Sequence, residues 1–241
     1  MARVSAHTMS ITPQYLTGEY IAKNPTFHVE DSPWKAEQIM KALGRQSASP
    51  TTIAEVGCGA GEILVQLAQK LPETCFTGYE LSPQGFDLCQ SRRSNRIDYR
   101  QEDMLEAADV FDLVLCIDVF EHVEDYYTFL RRLRERGRAF VFHIPLDMNM
   151  QMVARPQRML WVRGQVGHLH YFSKDTALAT LTDCGYQVRD WFFTPNGADR
   201  PKSGKAKLLQ LPRKIFSSIN QELTARVLGG YSLLVWADWA H

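Results

Sequence analysis

The residues best suited to chemistry begin at Glu55. From Thr52 to Leu64 the chain reads TIAEVGCGAGEIL, with Gly57, Gly59 and Gly61 at every second position. Ile53 and Val56 mark a short strand before the glycines, and Ile63, Leu64 and Leu67 recur at helical spacing after them. A strand that passes through glycines into a helix is a nucleotide-binding arrangement. Glycines let the backbone approach a ligand, and the first helical turn presents unbonded N–H groups. The dinucleotide spacing G-x-G-x-x-G is not met, because the third glycine falls one position early and position 62 is Glu. No Lys-Ser or Lys-Thr follows, which excludes a P-loop. Glu55 disfavours a pyrophosphate and suits a ligand with positive charge. Glu80 lies 23 residues past Gly57, where a carboxylate that accepts from ribose hydroxyls belongs. Asp118 closes an apolar run and opens on the same cleft. His143, His168 and His170 form a second reactive set. In an extended segment His168 and His170 share a face, and a near-neutral imidazole can take a proton from a hydroxyl or amine. The alternative for each ring is a hydrogen bond that structures its loop.

These residues need a frame, and the apolar pattern supplies one. Strands are expected at 52–57, 75–81, 97–100, 111–118, 138–144, 186–193 and 231–237, with helices at 61–71, 83–94, 124–135 and 173–184. Strands alternating with helices of this length predict an α/β fold with a doubly wound, mostly parallel seven-stranded sheet and helices on both faces. In such a sheet ligands sit at the carboxyl ends of the strands. Residues 1–30 read as polar and irregular, followed by a helix opening at Asp31-Ser-Pro-Trp34 and ending near Gly44. Two divisions follow: an N-terminal segment and helix over 1–50, expected to form a lid with Tyr15 or Tyr20 facing the cleft, and a main domain over 51–241. Inserts at 146–172 and 194–230 would form the far side of the site.

Composition narrows the function. There are 27 basic and 27 acidic residues, so no global field argues for nucleic acid. The hydrophobic share of 45% is that of an ordinary core-forming protein. Five scattered cysteines build no disulfide framework and read mostly as small buried hydrophobes. No apolar signal core opens the chain and no run approaches a transmembrane span, so a cytoplasmic protein is expected. The stretch Asp199–Arg226 is locally basic. A helix opened by Pro212 would place Ile215, Phe216, Ile219 and Leu223 on one face, either packed on the sheet, or forming a lid or recognition surface for an anionic or lipid-linked acceptor, or touching a membrane surface or a partner through 205–226.

Glu55-Val-Gly-Cys-Gly-Ala-Gly61 resembles the first motif, ExGxGxG, of the class I S-adenosylmethionine-dependent methyltransferases of the small-molecule type. The resemblance covers about Thr52–Phe193, with Tyr231–Ala237 closing the sheet, and implies the strand order 3-2-1-4-5-7-6 with the last strand antiparallel. It implies S-adenosylmethionine as cofactor, with S-adenosylhomocysteine as product. The cofactor would be held by Glu55, Gly57, Cys58, Gly59 and Gly61, by Glu80 and Leu81 on the ribose, and by Asp103 and Met104 at the adenine. Asp118, Val119 and His122 of the Asp118-Val-Phe-Glu-His122-Val run would line the methionine side. His122 could stack near the adenine or cap the loop, and Glu121 reads as a helix-opening acid. The implied reaction is methyl transfer to O or N of a small molecule, such as a glycosyl or natural-product intermediate, with His143, His168 or His170 acting on the acceptor. Four methionines within Met148–Met159 would give the acceptor a malleable apolar wall. No metal is expected: the acid and Asn pair of magnesium-dependent catechol methyltransferases is not evident, and a site built from the histidines with Asp147 is the lesser alternative. Other readings are a non-catalytic cofactor- or partner-binding module, or a protein or RNA methyltransferase; a dehydrogenase is disfavoured by the early glycine. Oligomeric state is not legible.

Overall fold

The computed structural model describes residues 14–195 and 216–239. Seven strands form one sheet: β1 (Thr52–Val56), β2 (Cys75–Tyr79), β3 (Ile97–Arg100), β4 (Phe111–Ile117), β5 (Gly137–Pro145), β6 (Gln187–Pro195) and β7 (Tyr231–Asp238). Their order is β3-β2-β1-β4-β5-β7-β6. β1 pairs in parallel with β2 and β4, while β7 runs antiparallel to both β5 and β6. The chain therefore has the α/β Rossmann-like seven-strand architecture that the alternating pattern and the resemblance implied.

Strand periodicity divides the core. Along β4, Leu113 and Leu115 face one side and Val114 and Cys116 the other, all fully buried. The first side packs on Leu64 and Leu67 of α4 (Glu62–Lys70) and on Ile39 and Leu43 of α3 (Ser32–Gln46). The second packs on Phe129, Leu130 and Leu133 of α6 (Tyr126–Leu133) and on Leu181 of α9 (Lys174–Asp183). Each such leucine contributes about 2 kcal/mol through area removed from water, so the strands that carry the site rest on a firm base. Caps fix the helix starts: Ser82 accepts from Gly85 N–H at the head of α5 (Pro83–Gln90), and Ser173 forms a capping box with Thr176.

Three expectations change. Residues 14–30 are not irregular: α1 (Gln14–Thr17), α2 (Glu19–Lys23) and a 3-10 turn at Val29–Asp31 precede α3. The insert after β5 is also helical, with α7 (Met150–Val153) and α8 (Pro156–Val166), because Asn149 caps the first and Pro156 opens the second. The helix expected to carry Phe216, Ile219 and Leu223 on one face is interrupted at Asn220, whose side chain accepts from Leu223 N–H and starts a separate helix, Gln221–Leu228. Most of the basic stretch, with Arg200, Lys202, Lys205, Lys207, Arg213 and Lys214, lies outside the described residues, as does the start at Pro212. Its described member Arg226 pairs with Asp175 at 2.8 Å. Cys75 is exposed, and the other four cysteines are buried and unbridged. Among the described residues no helix is long and apolar enough to cross a membrane.

Candidate active site

A cavity of about 390 Å³ lies over the carboxyl ends of β1, β2 and β4. Its floor is the glycine turn. Gly61 adopts φ +76° as the residue before α4, where it turns the chain into the helix. A side chain at Gly59 would meet Phe27, the nearest atom 3.3 Å from an added Cβ, so that ring packs directly on the turn. Phe27 and His28 both have left-handed backbones, φ 47° and 58°, a strained pair that brings the N-terminal segment down over the site.

Two acids flank the turn. Glu80 accepts from Gly59 N–H at 2.6 Å and Ser82 N–H at 2.7 Å, which ties β2 to the turn and fixes a carboxylate on the cavity wall. Glu55 is 2% exposed, and its Oε2 has no hydrogen-bond partner. Burial pushes its carboxyl up to about 8, with Lys35 opposing and Glu80 adding to the shift. A buried carboxylate in that condition, beside a cavity, is matched to a ligand that brings positive charge.

The third acid is Asp118. It holds φ 55° at the end of β4, uncommon outside glycine. Its Oδ2 meets Lys35 Nζ at 2.7 Å and its Oδ1 meets His143 Nδ1 at 2.6 Å. Burial alone would raise this carboxyl, but His143 and Lys35 outweigh it and hold it well below the usual carboxylate range. His143 is committed on both sides, since its Nε2 meets Thr194 Oγ1 at 2.9 Å. His143 also lines the cavity, and Lys35, Asp118, His143 and Thr194 form a hydrogen-bonded row that joins α3, the end of β4, β5 and β6. Lys35 was missed in the sequence. The available signal was its place one helical turn before Ile39, on the buried stripe of α3.

Most of the expected cofactor residues meet at this cavity. Gly57, Cys58, Leu81 and Met104 line it, as do Val119 and His122. Asp103 does not stand on its wall; that carboxylate is buried and accepts from Leu105 N–H at 2.9 Å, and Glu102 and Met104 face the space instead. His170 is also elsewhere: its Nε2 meets the Val123 carbonyl at 3.0 Å and its ring packs edge-on against Tyr126, and it is not among the residues that line the cavity. The methionine wall is not formed. Met152 is buried, Met148 and Met150 are exposed, and from α8 it is Val162 and Val166 that reach the cavity.

His168 remains on the wall, with Nδ1 on Asp147 Oδ2 at 2.6 Å. Burial lowers its pKa, but the Asp147 hydrogen bond and Glu121 outweigh it and leave it raised. Tyr15 and Tyr20 also line the space. The Tyr15 hydroxyl donates to the Val166 carbonyl at 3.0 Å and meets His122 Nδ1 at 3.2 Å. Lys23 and Asn24 donate to the Gly164 and Gln165 carbonyls at 2.8 and 3.1 Å, so the N-terminal helices are clasped to the end of α8.

The strand order and the glycine turn define the class I methyltransferase fold. Residues 54–138 match the methyltransferase domain family. The chain is 36% identical over 89 residues to the ubiquinone biosynthesis O-methyltransferase of Azorhizobium caulinodans, covering 34% of each chain. This match thus spans about a third of that curated relative's length. Among solved structures it resembles magnesium protoporphyrin IX methyltransferase of Synechocystis PCC 6803 with bound S-adenosylhomocysteine (TM-score 0.59, 14% identity, 86% of this chain and 83% of that one). It also resembles the N-methyltransferase NodS of Bradyrhizobium japonicum WM9 in complex with S-adenosylhomocysteine (TM-score 0.57, 16% identity, 92% and 98%). At these identities the structural likeness establishes the fold.

Proposed function

We propose that this chain is an S-adenosylmethionine-dependent methyltransferase that acts on O or N of a small molecule. The observation that carries the reading is Glu55, a carboxylate buried at the cavity wall with one oxygen unpartnered, beside a glycine turn. S-Adenosylmethionine carries both an ammonium and a sulfonium, and bound here it would supply an electrophilic methyl on a good leaving group. Glu80 would accept from the ribose hydroxyls, as its carboxylate is already held in place by two backbone N–H groups. Leu81 and Met104 would flank the adenine with apolar surface. The Asp118 row would keep the end of β4 rigid on the methionine side, because positioning alone contributes several kcal/mol to a displacement of this kind. Tyr15, Tyr20 and Phe27 would exclude water from above.

A small acceptor is favoured over a macromolecule because α1 and α2 cover the cavity and are bonded to α8. Its pocket would lie between this cover and the wall bearing Asp147 and His168. The relatives act on both oxygen and nitrogen by name, so the acceptor atom is a matter for assay.

Two results test the reading. Glu80→Ala is expected to weaken S-adenosylhomocysteine binding about tenfold or more in calorimetry, as loss of a charge-assisted hydrogen-bond partner requires; unchanged affinity removes Glu80 from the site. The N-terminal segment is expected to act as a lid, so residues 14–45 should be cut more slowly by protease when S-adenosylhomocysteine is bound. Equal cutting with and without it counts against a lid.

A further inference from the structure

The wall of the cavity beneath Tyr15 brings together side chains whose joint arrangement the methyl-transfer reading leaves unexplained. The 3-10 turn Phe120–His122 directs Glu121 inward, where it is 1% exposed and neither carboxylate oxygen has a hydrogen-bond partner. His122 Nε2 lies 3.8 Å from Glu121 Oε1, and the rings of His122 and His168 meet edge to face at 4.9 Å. One donor atom from each of Glu121, His122 and His168 falls within 4.8 Å of the others.

From this geometry we infer that Glu121, His122 and His168 form a binding site for one divalent transition-metal ion. Two imidazoles and a carboxylate are the donor set of open zinc and non-haem iron centres, and they select Zn²⁺, Fe²⁺, Co²⁺ or Ni²⁺ over Mg²⁺ and Ca²⁺, which prefer oxygen. The outer contacts match as well. His168 Nδ1 is held by the Asp147 carboxylate at 2.6 Å, which would leave Nε2 as the ligating nitrogen, and Tyr15 Oη stands 3.2 Å from His122 Nδ1. Carboxylate and hydroxyl partners of this kind fix the ring orientation of metal-ligating histidines. The backbone is fixed too. Leu169 N–H and His170 N–H both donate to the Glu121 carbonyl, at 2.8 and 3.1 Å, and so lock the His168 segment against the turn that carries the other two ligands. A bound cation would satisfy the two carboxylate oxygens that the fold leaves buried. Three protein ligands leave positions open, and His122 and His168 both stand on the cavity wall. An acceptor oxygen or nitrogen would fill one such position. That last consequence rests on the methyl-transfer reading, whereas the metal site itself does not.

The test uses the full chain, stripped with chelator and titrated with Co²⁺ and then Zn²⁺. The expected result is one Co²⁺ per chain, seen by its visible d–d absorption, displaced by one Zn²⁺ with Kd below about 10 μM. Glu121→Gln and His168→Asn should each weaken Zn²⁺ at least tenfold, and Asp147→Asn about 10–100-fold. Far-UV circular dichroism and S-adenosylhomocysteine binding establish that each variant is folded and keep this question apart from the cofactor. Absence of 1:1 binding in the parent chain overturns the proposal. So does Zn²⁺ affinity that is unchanged in folded Glu121→Gln and His168→Asn.

Discussion

Gly61→Ala is expected to lower the thermal midpoint by roughly 5–15 °C and to abolish tight cofactor binding. At φ +76° any residue with a side chain is strained, at a cost of about 1–2 kcal/mol. An added Cβ would also stand 2.4 Å from Tyr99 Cε1 and 2.7 Å from its hydroxyl oxygen. Tyr99 cannot withdraw, as it is 1% exposed and its hydroxyl donates to the Gly61 carbonyl at 2.7 Å. Overpacking of this kind adds about 1–3 kcal/mol, and a domain of this size loses roughly 2–4 °C per kcal/mol. Because Gly61 leads directly into α4, the same displacement moves the turn that would hold the cofactor. Gly164→Ala is the control: it sits in helix α8 with nothing within 4 Å of an added Cβ, and is expected to be neutral or slightly stabilising. Melting curves and calorimetry of both variants check the pair. Equal midpoints would show that the Tyr99 contact and the left-handed turn are not limiting.

Glu55→Gln is expected to move stability and affinity in opposite directions. The carboxyl has an ordinary value of 4.5 and is pushed up to about 8 in the fold, chiefly by burial. Between those two values the folded chain keeps a proton that the unfolded chain has released. The stability linked to this group is therefore whole below pH 4.5, falls as pH rises towards 8 and is lost above it. Gln cannot ionise, so the variant should gain on the parent chain as pH rises. Above pH 8 the gain should reach a few kcal/mol, or at least about 5 °C in midpoint. Glu121 is raised to about 8 as well, again chiefly by burial, so the parent's own pH slope contains both groups and only the difference between the chains reports Glu55. Binding should show the reverse. A cationic ligand prefers the ionised carboxylate, so S-adenosylmethionine should bind the parent more tightly as pH rises from 6 to 8.5. The variant should bind more weakly, by about tenfold, and with little dependence on pH. A variant destabilised at pH 9, or one with the parent's pH-dependent affinity, would contradict the role given to Glu55.

The sheet was legible because its signals are local. β4 is a near-continuous apolar run, as a strand covered on both faces must be, and the glycine turn and strand-end acids sit at fixed offsets from their strands. The strand order came from the resemblance rather than from periodicity. What could not be read are the pairings made across long stretches of chain. His143 looked available until Asp118 and Thr194 were brought to its two nitrogens. His170 was equivalent to His168 by spacing, and only the fold sends one to the Val123 carbonyl and the other to Asp147 and the cavity. Glu121 read as a helix-opening acid because a dipole argument applies to an α-helix. The 3-10 turn that forms there instead points it into the protein. Lys35 left a trace, as a cation on the apolar stripe of α3, and the methionines of the insert misled because their number says nothing about which way α7 and α8 face.

The central claim, that the glycine turn with Glu55 and Glu80 holds S-adenosylmethionine, is tested most directly by calorimetric titration of the full chain with S-adenosylhomocysteine and, separately, NAD. One-to-one binding of S-adenosylhomocysteine with Kd on the order of micromolar, and no binding of NAD, is the predicted result. Binding of NAD alone, or of neither compound, would contradict it.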